Sequence, residues 1–134
     1  YDLKESNDVL RDELSAVANL RVEDGDATKS LPHGPFDIVF LGNLCHGQSP
    51  EDNARILRMS HDRLSEGGMV AVFDNLKGED RRSATLALHM ITQSPRGNVY
   101  TRAEYLGWLK EAGFKRLKVH KLSDRAWSLV VGFR

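Results

Sequence analysis

The sequence predicts an α/β domain, with a mostly parallel sheet covered by helices and an antiparallel strand pair at its C-terminal end. Three observations carry that prediction. Two nearly continuous apolar runs, Phe36-Asp37-Ile38-Val39-Phe40-Leu41 and Met69-Val70-Ala71-Val72-Phe73, suit parallel strands covered on both faces. Helical segments with their own start and stop signals alternate with them, the pattern of a sheet built from strand-helix units. Two further strand candidates, over residues 116–122 and 127–133, follow the last helix and are joined by a short link through Asp124 and Arg125, which suits a hairpin.

Along the chain, Val9, Leu10, Leu14 and Val17 fall at helical spacing over residues 6–18, and Ser6 or Asn7 can cap the start. Residues 20–22 are a short strand candidate ending in the turn-like Asp24-Gly25-Asp26. A loop with two prolines covers 30–35, the first buried strand 36–41, and a loop at its C-terminal end 42–48. Ser49 as N-cap, Pro50 at the first helical position and Asp52 as capping partner open a helix to about Leu64. Its inner face is Ala54, Ile56, Leu57 and Leu64, and Gly67 or Gly68 ends it in left-handed geometry. The second buried strand, 69–73, has Asp74 at its C-terminal tip. A helix over 80–92 and a loop over 94–100 precede Thr101 and Glu104, a capping box that opens a helix through Ala112, stopped by Gly113.

Composition narrows the function. The chain has 134 residues, 40% of them hydrophobic, enough for one packed core. Lys plus Arg equals Asp plus Glu, 19 against 19, so no overall charge draws the chain to nucleic acid or to anionic lipid. The basic edge of Arg116, Lys118, His120 and Lys121 lacks the interleaved aromatics of a nucleic-acid platform. No run approaches the roughly 18 apolar residues of a membrane span. No basic-then-apolar leader is present, which fits a cytoplasmic protein. The single cysteine, Cys45, forms no internal disulfide and reads as a small buried hydrophobe. The histidines lack metal-ligand spacing, so no metal is implied.

In an α/β sheet, ligands bind beyond the C-terminal ends of strands. Three loops meet that condition: Gly25-Asp26-Ala27, the 42–48 loop and Asp74-Asn75. Each has a plain reading beside a functional one. Asp-Gly-Asp is ordinary turn chemistry, Asn43 can simply cap its loop, His46 can serve packing, and Asp74 can end a strand.

Taken in order, Phe36 to Leu41, Leu44-Cys45-His46, Ser49-Pro50-Glu51, Leu64-Ser65-Glu66-Gly67-Gly68 followed by Met69 to Asp74, Tyr100-Thr101, Glu104-Tyr105 and Glu111-Ala112-Gly113-Phe114 form a specific series. In it the sequence resembles class I S-adenosylmethionine-dependent methyltransferases. More narrowly, it is similar to small-molecule O-methyltransferases of the caffeate and bacterial polyketide-tailoring kinds. The resemblance implies a Rossmann-like methyltransferase sheet. The family's first strand and Gly-x-Gly-x-Gly loop have no counterpart here, so residues 1–134 are expected to be the C-terminal part of the catalytic domain.

The resemblance also implies roles. Asp2, followed by Leu3, matches the acid that accepts both ribose hydroxyls of S-adenosylmethionine (S-adenosylhomocysteine after transfer). Gly25, Asp26 and Ala27 match the segment beside adenine, with Asp26 accepting from the adenine amino group. Gly42 and Asn43 lie where cofactor and substrate meet, although relatives often carry Lys at the position of Gly42. His46 matches the histidine that deprotonates the acceptor hydroxyl, and Asp74 an acid beside it. Gly47-Gln48 departs from the usual Asp-Trp, and a second supporting acid falls on Val99. The expected activity is methyl transfer to a hydroxyl of a small molecule, by a homodimer in the intact protein, with no nucleic-acid or membrane partner. A methyltransferase of another acceptor class with His46 structural, and a catalytically incomplete binding module, are the alternatives. A dinucleotide-dependent dehydrogenase fits the early strands but not the terminal hairpin.

Overall fold

The computed structural model describes residues 1–14, 16–79, 81–93, 96–122 and 127–134, with no side-chain detail for 12, 81, 82, 91 and 93. The expected link residues Asp124 and Arg125, the helix-start residue Asp80 and the loop residue Ser94 lie outside the described residues. The elements are α1 (Lys4–Leu14), β1 (Phe36–Gly42), a short 3-10 turn (Cys45–Gly47), α2 (Pro50–Arg63), β2 (Leu64–Asn75), α3 (Arg81–Gln93), α4 (Arg102–Glu111), β3 (Lys115–Lys121) and β4 (Trp127–Phe133). The strands form one mixed sheet in the order β1-β2-β4-β3. β1 and β2 are parallel, and β2–β4 and β3–β4 are antiparallel.

Local chemistry explains the helix starts. Ser49 is extended, its hydroxyl accepts the Asp52 N–H, and Pro50 fills the first helical position. Thr101 and Glu104 form a complete capping box, each side chain accepting the other's backbone N–H. Replacing Thr101 by alanine is expected to cost about 1 kcal/mol, read as a lower urea midpoint at unchanged slope.

Strand alternation sorts the side chains. Val70 and Val72 of β2, Val130 of β4 and Leu41 of β1 join Ile56 and Leu57 of α2 and Tyr105 and Leu109 of α4 in one core. Asp74 continues the 70–72 alternation and points to the same face. The other face carries Ile38 and Phe40, 55% and 62% exposed, and a row of rings in which Phe73 stacks between Phe40 and Trp127. β1 is therefore covered on one face only among the described residues, where its apolar run predicts cover on both.

Three expectations change. Residues 20–22 form no strand, and Asp2 and Asp24 make only an isolated parallel bridge. The first helix runs over Lys4–Leu14 rather than 6–18; Val9 (68% exposed) and Leu10 face outward on it, and Val17, beyond its end, is exposed as well. What holds this helix is Asn7, 2% exposed, whose amide donates to Asp2 O, Glu23 O and Asp24 Oδ1 at 3.0, 2.7 and 2.8 Å. Residues 65–68 belong to β2 rather than to a loop. Phe36 pairs with Leu64 and Ile38 with Met69, so this segment bulges opposite Asp37, and Gly67 supplies the positive φ of 77° that the bulge needs.

Candidate active site

The parallel pair β1–β2 brings two loops together at its C-terminal end. β1 runs through Gly42 into Asn43, which takes a left-handed φ of 54° and donates its N–H to Phe73 O at 3.0 Å. That turn delivers His46 beside the tip of β2. There Asp74 is completely buried, and both of its oxygens are filled. Oδ1 accepts His46 Nδ1–H at 2.7 Å and the Asn75 N–H at 2.8 Å. Oδ2 accepts the His46 N–H at 3.1 Å and the Tyr105 hydroxyl at 2.9 Å.

The turn that carries His46 is fixed through its carbonyls. Cys45 O accepts from Asn53 Nδ2 at 3.0 Å, His46 O from the Asn98 N–H at 2.9 Å, and Gln48 O from the Tyr100 hydroxyl at 2.5 Å. Tyr100, Tyr105 and Trp108 pack edge to face, with centroids 4.9–6.3 Å apart. Val99 is wholly buried, so the position that the family resemblance gives to a second acid is apolar.

The electrostatics follow from this packing. The hydrogen bond to Asp74 raises the His46 imidazole above its ordinary value, against an opposing effect of burial. A carboxylate at Nδ1 assigns the neutral ring's proton to that nitrogen, which leaves the unshared pair on Nε2. The side chain is 16% exposed, so an incoming proton donor can reach it. Burial pushes the Cys45 thiol and the Tyr105 phenol far up, and the Tyr100 phenol to about 12, so all three stay neutral.

Beside this pair lies a groove of about 320 Å³, within the ~300–1,000 Å³ of small-molecule sites. Asp2, Leu3, Gly25, Asp26, Ala27 and Gly42 all line it, and Leu44 and Gln48 carry it to the two flanks of His46. Asn43 lies outside its lining and shapes the turn instead. Gly25 is a position that a side chain would close: a Cβ there would lie 1.9 Å from Tyr1 Oη, whose ring packs against the glycine backbone. Asp2 Oδ1 accepts the Leu3 N–H at 2.7 Å. Asp26 folds back on its own turn: Oδ1 accepts the Thr28 N–H and hydroxyl at 2.9 and 2.6 Å, and Oδ2 meets Lys29 Nζ at 3.0 Å. The Thr28 hydroxyl, followed by Lys29, holds the Asp26 carboxyl down at about 2.

The sequence reading thus finds both members of the His46–Asp74 pair and six residues of one groove. It misses Tyr105, which it reads only as part of a tail motif. The signal was present: Tyr105 and Leu109 are four apart on one helix face, and 70, 72 and 74 share a strand face.

A mixed α/β sheet with a ligand groove and a carboxylate-held histidine at the C-terminal ends of its parallel strands defines the class, and comparison with known proteins gives the family. The O-methyltransferase domain family matches residues 1–115, and the chain belongs to that family. The tetracenomycin polyketide synthesis 8-O-methyl transferase TcmO of Streptomyces glaucescens is 30% identical over 131 residues, 92% of this chain and 38% of its own length. Caffeic acid 3-O-methyltransferase 1 of Ocimum basilicum is 29% identical over 110 residues, 77% of this chain and 30% of its own. The structure of PigF with S-adenosylhomocysteine superposes with a TM-score of 0.87 at 27% identity, over 98% of this chain and 42% of that one. PigF of Serratia sp. is described as an S-adenosylmethionine-dependent methyl transferase. The chain thus spans well under half of the length of these relatives. Among the described residues, no helix is long and apolar enough to cross a membrane.

Proposed function

We propose that the protein transfers a methyl group from S-adenosylmethionine to a hydroxyl of a small molecule, with His46 as the base. The observation that carries this reading is the buried Asp74 held 2.7 Å from His46 Nδ1, at the end of a groove of nucleoside size. The groove residues fit the cofactor by chemistry. Asp2 offers a carboxylate to vicinal hydroxyls, while the Asp26 carboxylate is taken up by Thr28 and Lys29 and shapes the turn that lines the groove. Val39, Leu41 and Leu44 supply apolar wall, and the Tyr1 ring packed on the Gly25 backbone adds a flat aromatic one. When bound, the cofactor supplies a methyl group on a sulfonium, an electrophile that reacts with an oxyanion far better than with a neutral hydroxyl.

His46 Nε2 accepts the acceptor's proton, and Asp74 holds the ring in the tautomer that makes this possible and stabilises the charged imidazolium. The clamped carbonyls of residues 45, 46 and 48 keep the base in place, which converts binding of the acceptor into alignment. A raised imidazole takes a proton more readily from a phenol, which ionises at about 10, than from an aliphatic hydroxyl, which ionises several units higher. This favours phenols, including those of polyketide, flavonoid and hydroxycinnamate type, over aliphatic alcohols. The relatives' names, a polyketide and a caffeic acid O-methyltransferase, support the same class.

The test is label transfer from methyl-tritiated cofactor by the full-length protein to a panel of phenols, aliphatic alcohols and arylamines. Label in an ether of a phenol is the expected result. Label in amines alone would replace this reading with N-methylation and a structural His46.

A further inference from the structure

We propose that Tyr105 is a positioning residue: its hydroxyl occupies Asp74 Oδ2, so that the carboxylate presents only Oδ1 to the His46 ring. The inference rests on the role of His46 given above and adds to it a helix, α4, that contributes no group to the groove. Tyr105 is wholly buried, and its hydroxyl reaches Asp74 Oδ2 at 2.9 Å. The carboxylate it meets is fully desolvated as well. A buried anion needs its lone pairs filled by protein donors, and a donor to an anion is roughly twice as strong as one between neutral groups. Two of the four donors to Asp74 are backbone N–H groups that any sequence would supply. The Tyr105 hydroxyl and His46 Nδ1–H are the two that depend on side chains.

Position 99, where the family resemblance places an acid, is apolar here, and its neighbour Asn98 donates to His46 O. Among the described residues His46 therefore meets one carboxylate, and how strongly that carboxylate attracts the ring proton depends on how much of its charge Tyr105 draws off. The titratable groups facing Tyr105 are Asp74, Cys45 and Tyr100. Burial keeps the last two neutral, so the phenol has a single charged partner. Asp74 is likewise the one charged group whose influence on His46 is resolved. Removing the phenol donor leaves more negative charge on the oxygen that faces the ring. The imidazolium is then favoured, so a smaller share of His46 is neutral and able to accept a proton at neutral pH.

The experiment is an NMR titration of full-length protein labelled with 15N-histidine, with the His46 signals assigned by their loss in His46→Gln. Tyr105→Phe keeps the ring and removes the donor. It is expected to raise the His46 midpoint by about 0.5–1 unit, with the proton still on Nδ1 in the neutral form. Trp108→Phe, in the same aromatic cluster but away from Asp74, is expected to leave the midpoint within about 0.2 unit. Should Tyr105→Phe not fold, a ring-fluorinated tyrosine at position 105 donates more strongly and is expected to lower the midpoint. A Tyr105→Phe midpoint that is unmoved or lower, a fluorinated variant that moves it upward or not at all, or an equal shift from Trp108→Phe would overturn the proposal. None of these readings requires turnover. A failed methyl-transfer assay therefore strikes the function of His46 and leaves the coupling through Tyr105 to be judged on its own.

Discussion

Replacing His46 by glutamine is expected to lower methyl transfer to a phenol by about 10²–10⁴-fold, the usual contribution of a positioned acid-base group. The loss should fall on kcat, with cofactor affinity unchanged, because the groove lining passes through Leu44 and Gln48 on either side of position 46 but not through His46 itself. Glutamine can still donate to Asp74 Oδ1 and so keeps the buried carboxylate partnered while removing the basic nitrogen. The remaining activity should rise steeply with pH, since an acceptor that ionises in solution no longer needs the base. A loss smaller than tenfold, measured by single-turnover transfer with saturating cofactor, would assign His46 to packing.

Replacing Asp74 by asparagine is expected to be equally damaging to rate and far more damaging to stability. An amide at this site must turn an NH₂ group toward donors that already fill both oxygens. Leaving buried donors unmatched costs about 3 kcal/mol in total. The ring can also invert its tautomer, which puts the proton on Nε2, where the acceptor's proton must go. The stability loss has a pH signature with a definite sign. Asp74 raises the His46 pKa in the folded state, so this part of its stabilisation is complete below about 6.5, the unfolded value, and is lost as pH rises through the raised folded value. Urea unfolding of both proteins at about pH 5.5 and pH 9 should therefore show the larger difference at the lower pH. A difference that is the same at both values would mean that the imidazolium does not feel Asp74.

Features set by neighbours in sequence were legible, and features set by distant partners were not. The caps at Ser49 and Thr101 were readable because a helix start is satisfied within three residues. The core of β2 over 69–73 and the hairpin pairing of β3 with β4 were readable from short apolar runs. The first helix was misjudged because apolar spacing reports a face that could be buried, not whether anything covers it. Val9 and Leu10 face outward, while Asn7, whose partners lie up to 17 residues away, does the holding. The strand expected over 20–22 fails for a related reason, since Asp2 makes a single bridge beyond it, to Asp24, and no ladder. At the site, the family resemblance supplied His46 and Asp74 together. Nothing local says that position 46 meets position 74. Tyr105 passed for a core aromatic because a ring at a buried helix position looks the same whether or not its hydroxyl finds a carboxylate. Asp26 shows the reverse: its turn chemistry was plain in the sequence, and the structure spends its carboxylate on that turn.

The contacts that hold the base span long stretches of chain: 28 residues from His46 to Asp74, 31 from Asp74 to Tyr105 and 52 from Gln48 to Tyr100. Each is a loop that must close before its hydrogen bond can form, and such closures come late relative to helix turns and capping boxes. While the polypeptide leaves the ribosome, Asp74 emerges as an ordinary hydrated carboxylate, and its shell of donors is not complete until Tyr105 of α4 has followed. A nascent chain halted before residue 105 can therefore hold the β1–β2 pair but lacks the Tyr105 hydroxyl that completes the donors around Asp74.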